Sequence, residues 1–140
     1  MMRTRKKTTK IVIHHSASPK STSVDKIREW HVDGRGWSDI GYHYIINGST
    51  GKTEKARDIH RQGAHCPKWN SHSVGICITG NYENEHVDIK AWEALLSLIK
   101  FIGITYGLTW KDVQWHGEGG ATACPGKNLK AMIRDYRQRA

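Results

Sequence analysis

The chain lacks the long apolar runs from which membrane-spanning helices are built. No stretch of its 140 residues approaches the roughly 20 consecutive apolar side chains that cross a bilayer. A secretory signal is also missing, because the basic N-terminus is followed by an apolar stretch that reaches only from Ile11 to Ile13. We therefore expect a protein that is made in the cytoplasm and does not leave by the ordinary signal route.

Internal repeats, low-complexity segments and long linkers rich in proline, glycine or serine are absent as well. The length suits one domain with a proper core and is short for two. Hydrophobic residues make up 37% and charged residues 25%, which are ordinary values for a globular protein. We predict one compact domain over residues 11–140, preceded by a basic N-terminal tail over residues 1–10.

A complete disulfide framework is excluded, because the three cysteines are an odd number. A cytoplasmic origin makes any disulfide less favourable still. Cys77 lies in the apolar segment from Val74 to Thr79 and is expected in the core. This leaves Cys66 and Cys124. At least one of the three cysteines must have a role other than disulfide formation.

Acidic residues are scarce at both ends of the chain, which together account for the whole net charge of +9. Residues 1–10 carry five cations and no acid, residues 127–140 carry five cations against Asp135, and residues 11–126 are therefore neutral overall. The pattern indicates a polyanionic partner, such as nucleic acid, anionic lipid or an anionic cell wall. The alternative is a pair of solvated ends without a specific partner. The cations are Arg3, Arg5, Lys6, Lys7 and Lys10, then Lys127, Lys130, Arg134, Arg137 and Arg139.

Strand and helix patterns alternate along the chain. A β-branched run predicts the first strand, and an apolar segment without alternation predicts a central strand. The predicted strands are Lys10–Ser16, Tyr42–Asn47 with Lys52–Arg57 as its hairpin partner, Val74–Thr79 and Asp112–His116. Thr22 to Asp25 fits the start of a helix that Gly34 ends. Asp88 can cap a longer helix, and a basic helix covers Lys127 to Gln138.

The long helix has a predicted apolar face that packs on the sheet. That face comprises Ile89, Trp92, Leu95, Leu96, Ile99 and Ile102. The alternation of elements predicts an α/β fold, a single domain with a central mixed β-sheet flanked by α-helices.

Nine histidines form a high density for such a small domain, and several stand at the ends of predicted elements. A catalytic zinc site uses three ligands drawn from histidine, cysteine and carboxylate, and keeps a fourth position for water. His14 ends the first strand, His116 ends the last, and Cys124 follows across a glycine-rich loop. His14 and His15 would face opposite sides of the strand, and spacing does not decide between them. Residues at element ends can equally be structural.

Four segments, in the same order, resemble the zinc-dependent N-acetylmuramoyl-L-alanine amidases, which include phage endolysins and the animal peptidoglycan recognition proteins. Together they span residues 12–126. They are Val12-Ile-His-His-Ser-Ala17, Gly36-Trp-Ser-Asp-Ile-Gly-Tyr-His-Tyr44, His65 with Asn70, Ser73, Val74 and Gly75, and His116 followed by Thr122-Ala-Cys-Pro-Gly126.

The resemblance implies the family's fold and assigns roles residue by residue. Zn²⁺ would be held by His14, His116 and Cys124. Tyr42 falls on the family's catalytic tyrosine and Thr122 on its Lys/Thr position, while Glu118 is an acid in a loop made looser by glycines. The remaining expected contacts are substrate-binding residues, namely Trp37, His65, Trp69 and Asn70.

The activity that the resemblance implies is hydrolysis of the amide bond between N-acetylmuramic acid and L-alanine in bacterial peptidoglycan. A zinc-bound water would attack the carbonyl, and zinc, Thr122 and Tyr42 would stabilise the oxyanion. Tyr42 would also help to place or deprotonate the water, and Glu118, as a third catalytic residue, would assist proton transfer. We expect a monomeric bacteriolytic endolysin that acts on the wall after release, its basic termini touching the anionic envelope. Alternatives are a cytosolic enzyme that recycles muropeptides and a non-catalytic peptidoglycan binder, which Cys124 disfavours. The neutral body and the lack of a recognised motif argue against nucleic acid as the partner.

Overall fold

A computed structural model describes residues 2–140 and contains one mixed five-stranded β-sheet. The strands are β1 (Lys10–His15), β2 (Tyr44–Ile46), β3 (Thr53–Lys55), β4 (Ser73–Ile78) and β5 (Val113–Trp115). Their spatial order is β3-β2-β4-β1-β5, and only the β2–β3 hairpin is antiparallel. The predicted mixed sheet is therefore confirmed, with the apolar strand β4 at its centre.

Three α-helices cover the sheet: α1 (Val24–Arg28), α2 (Ile89–Tyr106) and α3 (Lys127–Arg139). A π-helical segment (Glu29–Gly34) continues α1, and short 3₁₀ turns occur at Asn70–His72, Trp110–Asp112 and His116–Glu118. Within the described residues, no helix is both long enough and apolar enough to cross a membrane.

Successive side chains of β1 and β4 point to opposite faces of the sheet. Ile11 and Ile13 face the main core together with Ile76 and Ile78, where α2 and α3 pack. The intervening residues face the opposite side, so His14 is paired in register with Cys77 there. This alternation places His14 and Cys77 on the face of the sheet that is opposite to the helical core.

The first helix begins one residue later than predicted. Ser23, not Thr22, is its N-cap, and the Ser23 hydroxyl accepts a hydrogen bond of 3.1 Å from the backbone N–H of Lys26. The Thr22 hydroxyl instead donates to the carbonyl of Pro19 at 2.7 Å, in the turn that precedes the helix. The Thr22 hydroxyl is therefore used in the turn before the helix, and the Ser23 hydroxyl caps the helix.

The predicted start of α2 is confirmed, since Asp88 accepts from the backbone N–H of Lys90 at 3.0 Å. Its buried face is rotated from the predicted one: Ile89 is 62% exposed and Leu96 is half-buried. Ile89 precedes the buried Ala91 by two residues, which is about 200° around a helix of 3.6 residues per turn. The residues that are buried on α2 are Ala91, Trp92, Leu95, Leu98, Ile99 and Ile102.

The N-terminal segment is held against the domain at Arg5, which is 9% exposed. Its backbone N–H donates to the carbonyl of His60 at 2.8 Å, and its guanidinium donates to the carbonyl of Arg61 at 3.2 Å. The guanidinium also donates to the Tyr106 hydroxyl at 3.3 Å. A solvated tail is therefore a wrong description of Arg5, although Arg3 and its other basic neighbours are exposed.

Candidate active site

The candidate site lies where the parallel strands β1 and β5 end, at the bottom of a cleft of about 560 Å³. β1 supplies His14, the turn after β5 supplies His116, and the loop before α3 supplies Cys124. The carboxyl ends of parallel strands meet at one edge of a sheet, which brings these distant positions together.

One ligand atom from each of His14, His116 and Cys124 can be chosen so that all lie within 4.8 Å of one another. Nδ1 of His14 is 3.8 Å from the Cys124 sulfur, and the His14 and His116 ring centroids are 4.6 Å apart. Two imidazoles and a thiol form a donor set that suits a metal ion with an open fourth position. These three residues can therefore hold a metal ion.

The protonation of these groups follows from burial. Burial, followed by the neighbouring His65 and His116, holds the pKa of His14 well below its usual value, so the ring is the neutral form that a metal requires. Burial raises the pKa of the Cys124 thiol to about 12 in the metal-free protein. A metal would have to displace that proton, while the backbone N–H of His15, 3.4 Å from the sulfur, favours the thiolate.

The two adjacent histidines point to opposite sides of β1, and the positions of His116 and Cys124 decide which of them can bind a metal. His15 faces the opposite side of β1, where its Nδ1 accepts from the backbone N–H of Tyr82 at 3.1 Å. Only His14 is directed toward His116 and Cys124. His15 is therefore a structural hydrogen-bond acceptor.

Tyr42 lies beside the candidate ligands, its ring centroid 5.0 Å from that of His14. Burial, followed by the neighbouring Cys77 and Cys124 thiols, raises the pKa of the Tyr42 hydroxyl well above its usual value. The group therefore stays protonated and is a hydrogen-bond donor, which disfavours the water-deprotonating role considered for it. Thr122 also lines the cleft, and its hydroxyl oxygen accepts from the backbone N–H of Cys124 at 3.2 Å.

Glu118 does not line the cleft. Arg137 of α3 donates to its two carboxylate oxygens at 2.9 and 3.1 Å, and the backbone N–H of Trp115 donates at 3.1 Å. The proposed proton transfer by Glu118 is therefore not supported, because its oxygens are occupied on the α3 side. The carboxylate instead fixes the turn that carries His116.

The four expected substrate contacts divide into two groups. Trp37, His65 and Asn70 line the cleft, whereas Trp69 is 8% exposed and packs in a separate apolar cluster with Val12 and Cys66. Trp69 therefore lies outside the cleft lining, and its ring packs against Val12 and Cys66 instead.

His65 and Asn70, which line the cleft, both make contacts with other groups of the protein. The Asn70 amide oxygen accepts from the backbone N–H groups of His65 and Cys66 at 2.9 and 2.8 Å and so fixes their loop. The His65 ring is buried against His14. Of the four expected contacts, Trp37 is the one whose indole ring borders the cleft.

Two cleft residues were missed from the sequence. The Arg35 guanidinium carbon lies 5.0 Å from the Trp37 ring centroid, and His31 lies on the π-helical segment, where its Nδ1 accepts from the backbone N–H of Gly41 at 2.9 Å. The available signal was that Arg35 directly precedes the Gly36-Trp37 motif. π-Helical segments are also frequent at functional sites, but no sequence pattern predicts one here.

Comparison with known proteins gives a consistent family. The N-acetylmuramoyl-L-alanine amidase family matches residues 4–127. Peptidoglycan-recognition protein SC2 of Drosophila melanogaster is 36% identical, and the match covers 89% of this chain and 72% of that protein. The endolysin of Klebsiella phage KP32 is 34% identical, and the match covers 90% of this chain and 85% of that protein. The solved endolysin amidase LysCS from Clostridium intestinale URNW superposes with a TM-score of 0.88 at 30% identity, over 97% of this chain and 87% of its own. The chain therefore belongs to the N-acetylmuramoyl-L-alanine amidase family.

Proposed function

We propose that the protein is a zinc-dependent hydrolase of the amide bond between N-acetylmuramic acid and L-alanine in peptidoglycan. The observation that carries the proposal is the group of His14, His116 and Cys124 at the bottom of a cleft in a chain of this family. When bound there, zinc supplies a Lewis acid and a water of lowered pKa.

The chain's own hydroxyl groups act on the substrate carbonyl. Tyr42 is kept protonated, so its O–H donates to the carbonyl oxygen as negative charge develops. Thr122 accepts from a backbone N–H through its oxygen, which leaves its hydroxyl hydrogen to be donated into the cleft. The packing of the Tyr42 ring beside His14 and the contact of Thr122 with Cys124 would place both hydroxyls before the substrate arrives, and preorganised donors stabilise a developing oxyanion most effectively.

The wall of the cleft suits a glycopeptide. The Trp37 ring offers a flat apolar surface to a sugar or peptide, and Arg35 adds a cation over that ring. Stem peptides carry carboxylates, so a cation at this point matches their charge. His31, whose ring centroid lies 4.7 Å from that of Trp37, continues the same wall of the cleft.

The basic termini would hold the enzyme on an anionic envelope. Arg3, Lys6 and Lys7 are exposed on a segment that Arg5 anchors, and Lys130 and Arg134 are exposed on α3. In this proposal the protein is a monomeric endolysin that reaches the wall after release. Substituting Arg3, Lys6 and Lys7 by glutamine should weaken sacculus binding more at low salt than at high salt, since exposed charges are screened. Equal loss at both ionic strengths would contradict the electrostatic explanation.

The activity is tested by digesting purified sacculi with and without a zinc chelator. We expect new alanine amino termini without new reducing sugar ends, lost on chelation and restored by zinc. Binding to sacculi without any release would instead indicate a non-catalytic binder. Release only from soluble muropeptides would indicate a recycling amidase.

A further inference from the structure

A buried chain of hydrogen-bonding groups leads from the candidate metal site into the sheet. His14 Nε2 lies 2.8 Å from His65 Nδ1, and His65 Nε2 lies 3.2 Å from the Ser73 hydroxyl. His65 is 7% exposed and Ser73 is fully buried, so water does not replace these contacts. The His65 ring is therefore held through both of its nitrogens by buried groups of the protein.

The direction of the hydrogen bonds is set by the site itself. Nδ1 of His14 is the nitrogen that faces Cys124, so it must keep its lone pair to bind a metal. The proton of neutral His14 then resides on Nε2 and is donated to His65 Nδ1. His65 in turn carries its proton on Nε2 and donates it to the Ser73 oxygen. Burial lowers the pKa of both rings, in agreement with two neutral imidazoles.

The His65 ring is closely packed between Gly63 and Gly75. A Cβ atom added at Gly63 would come within 2.6 Å of the ring, and one added at Gly75 would also come within 2.6 Å. Side chains at either position would therefore displace the ring. Ser73 and Gly75 belong to β4, which pairs directly with β1 and His14, so the sheet fixes both ends of the chain of contacts.

We propose that His65 and Ser73 are positioning residues that hold His14 in the tautomer and orientation needed for metal binding. Groups that fix the second nitrogen of a metal-binding histidine typically account for 10- to 100-fold in metal affinity. The proposal rests on the proposed function only in requiring that His14 binds a metal ion.

The test measures the zinc affinity of the full-length protein by competition with a chromophoric chelator. H65F removes both hydrogen bonds and keeps a ring in the space, and it should weaken zinc binding by about 10- to 100-fold. S73A should weaken it by about tenfold at most, because it removes only the far acceptor. I102V is the control, since Ile102 is also buried but packs on α2 in the main core on the other face of the sheet, and it should leave zinc affinity unchanged.

The double variant separates positioning from general destabilisation. In the H65F background S73A should have no further effect on zinc affinity, because the serine acts only through His65, whereas independent structural effects would add. Absorption spectra of the Co²⁺-loaded variants should change with H65F and not with I102V. Wild-type zinc affinity in both H65F and S73A, or fully additive losses, would overturn the proposal. Sacculus digestion by the wild-type protein is a separate readout, so a failure of the amidase activity would leave this result interpretable.

Discussion

His43 should make the stability of the metal-free protein strongly dependent on acid pH. Its ring is 1% exposed; Nδ1 accepts from the backbone N–H of Gly75 at 3.0 Å, and Nε2 donates to the carbonyl of Arg61 at 2.7 Å. A second proton, on Nδ1, would be directed at the N–H group of Gly75. The added positive charge would also lie near the Arg5 guanidinium, which is 3.3 Å from Nε2. The folded protein therefore requires the neutral ring.

The size of the effect follows from the pKa difference between the folded and unfolded states. Burial first, then the charges of Arg5 and Arg57, lowers the pKa of His43 from 6.5 to about 4, against opposing contributions from the Arg61 carbonyl and Asp58. Between these pH values the unfolded chain binds more protons, so the free energy of unfolding falls as the pH falls. The contribution is complete above about pH 6.5 and is lost by about pH 4, a change of about 3 kcal/mol at 1.36 kcal/mol per pKa unit.

The measurement is urea unfolding of wild type and H43Q, with chelator present, at several pH values between 7.5 and 4.5. Glutamine has an acceptor and a donor but does not titrate, so the variant should lose less stability than wild type as the pH falls. Contributions of the other histidines are common to both proteins and cancel in the difference. Parallel stability curves for the two proteins would refute the reasoning, because His43 would then titrate alike in both states.

Three further substitutions test the site. Y42F should lower the rate of sacculus digestion by about 10²- to 10³-fold, because it removes a preorganised donor, while zinc affinity stays at the wild-type value; near-normal turnover would exclude the role given to Tyr42. C124S should abolish activity by weakening the metal site, and zinc content after dialysis measures this; a fully active variant would exclude the ligand set. E118Q should destabilise the fold by about 1–2 kcal/mol through its weakened contact with Arg137 and leave the turnover of the remaining folded enzyme nearly unchanged; a loss of turnover at full stability would restore Glu118 as a proton carrier.

The parts of the fold that the sequence predicts are those fixed by local patterns. The uninterrupted apolar run at β4 indicates burial on both faces, and the structure has parallel neighbours on both sides of it. Parity along β1 established that only one of His14 and His15 could face a metal, although not which one. That choice needed the position of Cys124, which lies 110 residues from His14 and depends on the tertiary fold.

The errors concern side chains whose direction depends on distant packing. Trp69 and Trp37 are indistinguishable as aromatic residues near a motif, yet Val12 and Cys66 enclose the first while the second borders the cleft. Glu118 resembles a catalytic acid by spacing alone, until Arg137 of α3 is placed beside it. Arg5 belongs to a strongly basic run, and its anchoring by Tyr106 joins positions 101 residues apart.

The abundance of histidine has a structural explanation that extends beyond the metal site. His15, His31 and His43 each use Nδ1 to accept a backbone N–H, from Tyr82, Gly41 and Gly75 respectively. A protonated imidazole cannot accept at that nitrogen, so acid removes all three contacts as well as opposing metal binding. His15 and His31 line the cleft, and His43 supports the strand behind His65. Acid therefore acts both on the hydrogen bonds that shape the cleft and on the candidate metal ligands, because histidine serves in both.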